Sequence, residues 1–265
     1  IIPSNHTKIR RKNGSKIYEV RGFPVAANAV YRQLYDLWSI KSILAREKPD
    51  VVEIGSCYLD NWLALLGYIN ADAIKSGFYH ADFPDSYIAP AVKGFPKPLA
   101  KRFVGMWHKY VRMAYSLFDV TVVTSRYVEK KLHKYGLENT HLIPLGVDVE
   151  RFNPGRRSES LRGEFGVSEE ENLLLYVGRF GSEKGIETFT KALPAIASKP
   201  NCRLVMVGDG PMLNMVKSAT QGLANVTLLD FITDRGNLAD IYASADLFIA
   251  PGPYETFGLT TLEAM

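Results

Sequence analysis

Two successive series of short β-branched runs, each run followed by a longer amphipathic stretch, predict an α/β chain of two Rossmann-like, doubly wound parallel-sheet domains. Three observations carry this reading. The alternation begins at about Pro49 and restarts after a segment, Glu150 to Glu171, that is rich in charge, glycine and proline and reads as the linker. The length of 265 residues is close to what two domains of ordinary size need. A composition of 46% hydrophobic and 23% charged residues is that of a globular protein and excludes disordered, collagen-like and coiled-coil chains. The domains are expected at residues 1–152 and 153–265. Because the chain starts at Ile1 and stops at Met265 inside a helical run, both are expected to be incomplete, the chain being a fragment.

In the first series the strands are Val51-Val-Glu-Ile54, Gly77-Phe-Tyr79, Val120-Thr-Val-Val123 and His141-Leu-Ile143. Between them the spacing predicts a helix over Ala100 to Phe118. Phe103, Val104, Trp107, Tyr110, Val111 and Ala114 lie on its buried face, with Lys101, His108 and Arg112 opposite. The second series runs through strand Leu173 to Val177, a helix from about Gly185, strand Arg203 to Val207 and a helix opening at Gly210-Pro211, where proline suits the first turn. Strand Val226 to Leu229, helix Asn237 to Ala243, strand Leu247 to Ile249 and a helix from about Leu259 complete it.

Ligands of open parallel sheets bind outside the carboxyl ends of the strands, so the loops that follow strands are where chemistry is sought. Gly178-Arg-Phe-Gly-Ser-Glu-Lys-Gly185 places Arg179 and Lys184 in a glycine-rich loop entering a helix. Such a loop suits phosphate, because helix N–H groups, a bidentate guanidinium and an ammonium all favour an anion; an ordinary solvated loop has the same residues. Gly208-Asp-Gly-Pro211 is a tight strand-to-helix turn. After the last strand, Glu255 precedes a helix and Glu263, eight positions on, lies on it. The pair suits a polyhydroxylated ligand; equally, Glu255 suits a helix amino terminus and Glu263 a solvated helix face.

The ordered set Gly178-Arg179…Lys184-Gly185, Gly208-Asp-Gly-Pro211, Asp246-Leu-Phe-Ile-Ala-Pro251 and Glu255-x7-Glu263 followed by Ala-Met resembles the donor-binding domain of glycosyltransferase family 4. The text Ile143-Pro-Leu-Gly-Val-Asp-Val-Glu-Arg-Phe-Asn-Pro154 is similar to that family's interdomain signature. The resemblance implies a GT-B fold and retaining, metal-independent transfer of a hexose from a nucleotide sugar, with no other cofactor. It implies catalytic roles for His80, Arg179, Lys184 and Glu255. Arg179 and Lys184 would neutralise the diphosphate, Glu255 would take sugar hydroxyls and Glu263 the ribose hydroxyls. Gly178, Gly208, Thr256, Phe257, Gly258 and Leu259 would line the donor, and Phe231, in Asp230-Phe-Ile232, would lie along the base. The stretch Tyr79-His-Ala-Asp-Phe-Pro-Asp-Ser-Tyr87 is further similar to lipid-linked mannosyl- and sulfoquinovosyltransferases, which narrows the donor only slightly; within the family reading GDP-mannose is the expected donor. A UDP-sugar, or a nucleotide-sugar-binding chain without turnover, is the alternative; an epimerase or a pyridoxal-phosphate phosphorylase of the same fold fits less well.

In the first domain His80 and Asp82 follow a strand and are expected to face the cleft, while Thr124 or Ser125 suits a helix cap. From Ser86 to Phe118 there is no acid, and Lys93, Lys97, Lys101, Arg102, Lys109 and Arg112 alternate with Phe95, Met106 and Trp107. That stretch suits an anionic membrane or a lipid acceptor, as well as a plain solvated face. A net charge of +4 is too diffuse to argue for nucleic acid. No apolar run reaches a spanning length and no leader is legible. Cys57 and Cys202 make neither a disulfide framework nor a zinc site. A cytoplasmic location is expected, peripheral at the inner face of the membrane where the acceptor is a lipid.

Overall fold

The computed structural model describes residues 1–25, 28–55, 62 and 72–265; Cys57 lies outside them. The chain forms two compact units, Ile1–Pro144 and Leu145–Met265. The boundary expected after residue 152 falls inside the second unit, where the Phe152 ring stands edge-on to Tyr242 at 5.7 Å and joins that unit's core.

Among the described residues, the first unit holds two sheets. Strands β1 (Ile2–Ser4), β2 (Lys8–Lys12), β3 (Ser15–Val25) and β4 (Asn28–Leu34) form a mixed sheet before the alternation starts. Its Tyr18, Val20 and Leu34 bury against Ile40 and Ile43 of α1 (Leu37–Glu47), whose amino end is capped by Asp36 accepting from the Ser39 N–H. The second sheet, β5 (Val51–Ile54), β6 (Ile74–Tyr79), β7 (Val120–Val123) and β8 (Thr140–Leu142), is parallel throughout in that order. Helices α2 (Lys97–Tyr115) and α3 (Arg126–Lys134) cover it through Val111, Tyr115, Val128 and Leu132, packed on Tyr79 and Val123. Ser125 caps α3 by accepting from the Val128 N–H.

The buried face of α2 is rotated from the expected one. His108 is buried with Val111, Ala114 and Tyr115, because its ring stacks on Tyr135 at 4.0 Å and its Nε2 lies 3.2 Å from Asp85. Phe103 is exposed instead, along with Leu99, Met106 and Met113.

In the second unit, α4 (Glu159–Glu164) is followed by β9 (Asn172–Val177), α5 (Ile186–Ala197), β10 (Cys202–Val207), α6 (Leu213–Thr220), β11 (Val226–Leu229), α7 (Arg235–Ser244), β12 (Leu247–Phe248) and α8 (Leu259–Ala264). The sheet order is β11-β10-β9-β12, all parallel. Side chains alternate across it with period two. Leu174, Tyr176, Leu204 and Met206 face α5 and α6, while Leu173, Leu175, Val205 and Val207 face α7. Covering both faces explains why β9 and β10 read as near-continuous apolar runs. The amino edge is tied by Asp246, which accepts from the Leu173 N–H at 2.7 Å and from Arg162, a residue only 4% exposed. Burial works to raise Asp246, but these hydrogen bonds, joined by Arg157, outweigh it and hold the carboxyl below the usual range. The Asp246 of the resemblance is therefore a fastening of the sheet, at the end opposite the candidate site.

Candidate functional site

The loops that leave the carboxyl ends of β9, β10, β11 and β12 lie side by side because their strands do. The turn after β10 packs directly on the loop after β9. A Cβ on Gly208 would stand 2.0 Å from the Gly178 carbonyl oxygen, so only glycine fits there. The Gly178 N–H donates to the Val207 carbonyl at 3.0 Å and the Gly208 N–H to the Leu229 carbonyl at 3.2 Å, continuing the ladder past the strand ends. The Phe180 N–H donates to the Asp209 carbonyl and the Phe180 carbonyl accepts from Met212. With its side chain fully buried, Phe180 pins the middle of the loop. Tyr176 donates its hydroxyl to the Arg179 carbonyl at 3.0 Å. Burial, with the charges of Glu183 and Glu255, pushes that phenol up, so it stays a donor.

The β12 loop closes on the same place. Gly185 begins α5 in the left-handed region (φ 69°), and a Cβ there would meet the Pro251 carbonyl at 2.6 Å. Across this contact Lys184 Nζ reaches Glu255 Oε1 at 2.5 Å, each side chain about one-third exposed (31% and 32%). Arg179 stands 3.7 Å from Glu183. Glu263 is buried rather than on a solvated face, its side chain 3% exposed, and its partner is Arg235 at the start of α7. Gly258 caps α8, Thr256 and Phe257 are half-buried before it, and Leu259 is exposed. Phe231, after β11, is 68% exposed.

Gly178, Arg179, Lys184, Gly208, Phe231, Glu255, Thr256, Phe257, Gly258, Leu259 and Glu263 thus all lie on the second unit, in the four loops or on α8. The structure adds Glu183, Tyr176 and Arg235. Glu183 is legible as an acid four residues after Arg179, whereas the spacing of Arg235 and Glu263 gives no sign of their pairing.

His80 belongs to the first unit. It follows β6 and is exposed, with Nδ1 3.4 Å from the Phe78 carbonyl. Asp82 does not face outward with it. Its carboxylate is buried, accepts from the Tyr79 hydroxyl at 2.9 Å and pairs with Lys131, which also pairs with Asp85. The hydrogen bond from His108 leads the effects that hold Asp85 at about 2, burial opposing it and Lys131 adding to it. This cluster is an anchor for the His80 turn. Among the described residues, no three or more His, Cys, Asp or Glu side chains are grouped to hold a metal ion, and no helix is long and apolar enough to cross a membrane.

A family model described as Glycosyltransferase Family 4 matches residues 3–151, and one described as Glycosyl transferases group 1 matches residues 157–265. The GDP-mannose-dependent alpha-(1-6)-phosphatidylinositol dimannoside mannosyltransferase of Mycobacterium tuberculosis is 36% identical over 149 residues, 56% of this chain and 39% of that protein. The sulfoquinovosyl transferase SQD2 of Arabidopsis thaliana is 31% identical over 232 residues, 85% of this chain and 42% of that protein. The chain therefore spans about two-fifths of the length of these relatives. Among solved structures, sucrose-phosphate synthase from Thermosynechococcus elongatus superposes with a TM-score of 0.70 at 22% identity, covering 98% of this chain and 66% of that one.

Proposed function

We propose that this chain, which belongs to glycosyltransferase family 4, binds a nucleotide-sugar donor on its second unit and serves retaining transfer of a hexose to a lipid or glycan acceptor, with mannose from GDP-mannose as the first choice. The observation that carries this reading is the meeting of Lys184 and Glu255, 71 residues apart in sequence, beside Arg179 at the carboxyl edge of a parallel sheet. A cation for phosphate and a carboxylate for hydroxyls then stand within one ligand's reach. In transfer, negative charge grows on the leaving nucleoside diphosphate, and fixed cations at that point lower the barrier. Arg179 and Lys184 take that role, Glu255 orients the sugar, and Glu263 accepts from the ribose. Gly178 and Gly208 allow close backbone approach, backbone from Thr256 to Leu259 lines the phosphate or sugar, and Phe231 offers its face to the base. In retaining transfer the leaving phosphate assists removal of the acceptor proton on the same face, so Glu255 need not act as one of a glycosidase pair. We assign His80 a catalytic role and the first unit, Ile1–Pro144, to the acceptor side. The preference for GDP-mannose leans on the mycobacterial relative, whose name specifies that donor.

The acceptor reading has its own support. Helix α2 exposes Leu99, Phe103, Met106 and Met113, and no acid occurs from Ser86 to Phe118. An apolar stripe flanked only by cations suits peripheral contact with anionic lipid.

Calorimetric titration with GDP, GDP-mannose, UDP and UDP-glucose tests the donor reading, with the Arg179→Ala, Lys184→Ala double variant as control. Saturable binding of one nucleotide family, lost in the double variant, is expected. Binding that the double variant keeps, or none by a folded chain, overturns it. Binding without turnover identifies the noncatalytic alternative.

A further inference from the structure

Glu263 is the one buried carboxylate among the described residues of the second unit. A carboxylate taken from water needs a counter-charge, and Arg235 supplies it, donating from Nη2 to Oε1. The guanidinium is itself held: its Cζ lies 4.8 Å from the centre of the Phe152 ring. Phe152 in turn stands edge-on to Tyr242 at 5.7 Å, inside the core beneath α7. Arg235 therefore leaves the start of α7 with its direction fixed by an aromatic platform, and it engages one oxygen of Glu263 from one side. An ionised carboxylate has about four acceptor positions. The guanidinium takes one, the Tyr242 hydroxyl faces the same carboxylate, and its remaining acceptor positions serve hydroxyl donors.

We infer that Arg235 is a positioning residue for Glu263: it holds the carboxylate in one orientation, and so gives the site its preference for a nucleotide with an intact ribose diol over a deoxyribose. The inference rests on the proposed donor site, in which Glu263 takes the ribose. It differs from a general role in stability, because a sugar preference belongs to the orientation of one carboxylate and not to folding. Lysine in place of Arg235 retains the charge but not the planar fork or the ring contact, and so restores the preference only in part.

The test is titration of the 265-residue chain and its R235L and R235K variants with GDP and UDP, each against its 2′-deoxy form, and with inorganic diphosphate. A hydrogen bond to a charged acceptor corresponds to a ribose preference of roughly tenfold to a hundredfold in the unaltered chain. R235L is expected to bring the ratio within about twofold of unity while diphosphate affinity is kept, and R235K to fall between. Thermal melting of both variants monitors the fold. If R235L weakens ribonucleotide, deoxyribonucleotide and diphosphate alike, or retains the full preference, Arg235 does not position Glu263 and the inference fails while the donor site stands. If the unaltered chain binds a nucleotide without preferring ribose, or binds neither nucleotide, the assignment of Glu263 fails and takes the inference with it.

Discussion

Replacing Glu255 by glutamine separates its two consequences for a donor. Lys184 is held by Glu255 at 2.5 Å, with both side chains about one-third exposed. An ion pair so accessible to water contributes about 1 kcal/mol or less. A diphosphate taking Lys184 must first break that pair, and it then lies near a bare carboxylate. Glutamine removes both costs, so nucleoside diphosphate affinity should rise by up to about fivefold. Removing Lys184 works in the opposite direction. A charge-assisted hydrogen bond to phosphate contributes about 1.5–3 kcal/mol; less about 1 kcal/mol no longer spent on the pair, the net loss for Lys184→Ala is about 0.5–2 kcal/mol, or roughly two- to thirtyfold weaker binding. Titrations with GDP and UDP read these changes, and a transfer assay with the preferred nucleotide sugar reads the sugar contact, where E255Q should fall even though its diphosphate binding improves. If E255Q weakens diphosphate and nucleotide sugar equally, Glu255 is a structural partner of Lys184, and if Lys184→Ala leaves both affinities unchanged, its phosphate role is refuted.

The remaining predictions concern the scaffold and the exposed face of α2. Gly208→Ala places a methyl 2.0 Å from the Gly178 carbonyl oxygen and should force the β9 and β10 loops apart, lowering both Tm and nucleotide affinity; an unchanged thermal midpoint refutes the close approach. Arg162→Leu leaves Asp246 without its most buried partner, while Arg157 and the Leu173 N–H remain, and should cost about 1–3 kcal/mol, read by denaturant unfolding. Asp85 is depressed to about 2 by His108 and Lys131, so it stabilises the folded chain above about pH 4, and the stabilisation is lost as pH falls from there through 2. Since its side chain is 26% exposed, water screens this to at most about 2 kcal/mol, and Lys131→Met should move the acid-unfolding midpoint upward. Replacing Phe103 and Met106 by serine should abolish co-sedimentation with phosphatidylglycerol vesicles while thermal stability holds; retained sedimentation removes α2 from the membrane contact.

The second unit was legible because a parallel sheet covered on both faces leaves its pattern in the chain. Runs such as Leu173 to Val177 are apolar throughout, and Gly-rich text follows each strand where backbone loops must approach one another. Residues 1–25 and 28–34 were not, although they form a sheet. Strand β2, Lys8-Ile-Arg-Arg-Lys12, is exposed along its whole length and so carries no buried alternation. One local sign was present: Asn13-Gly14, both with positive φ, is the pair a tight hairpin turn demands. The rotation of α2 escaped for a different reason. A helix with apolar residues on more than one face does not declare which face is buried, and here the decision came from His108, whose partners Asp85 and Tyr135 lie on other elements.

Candidate site residues divide along the same line. The kinds of residue needed for a phosphate and a diol can be read from type and spacing, which is why Arg179, Lys184, Glu255 and Glu263 stood out. Their partners in the folded chain cannot, because pairing depends on the strand order β11-β10-β9-β12 that places the β12 loop beside the β9 loop. Lys184 and Glu255 neutralise one another across that junction, and Arg235 does the same for Glu263 from α7. The consequence is physical as well as formal. On the proposed donor reading, the Lys184–Glu255 pair makes nucleotide binding an exchange, so a bond from Lys184 to phosphate is offset by the breaking of that ion pair. The same reading makes affinity for the nucleotide lower than the number of charges suggests, with the Glu255 carboxylate available to the sugar only once phosphate has taken Lys184.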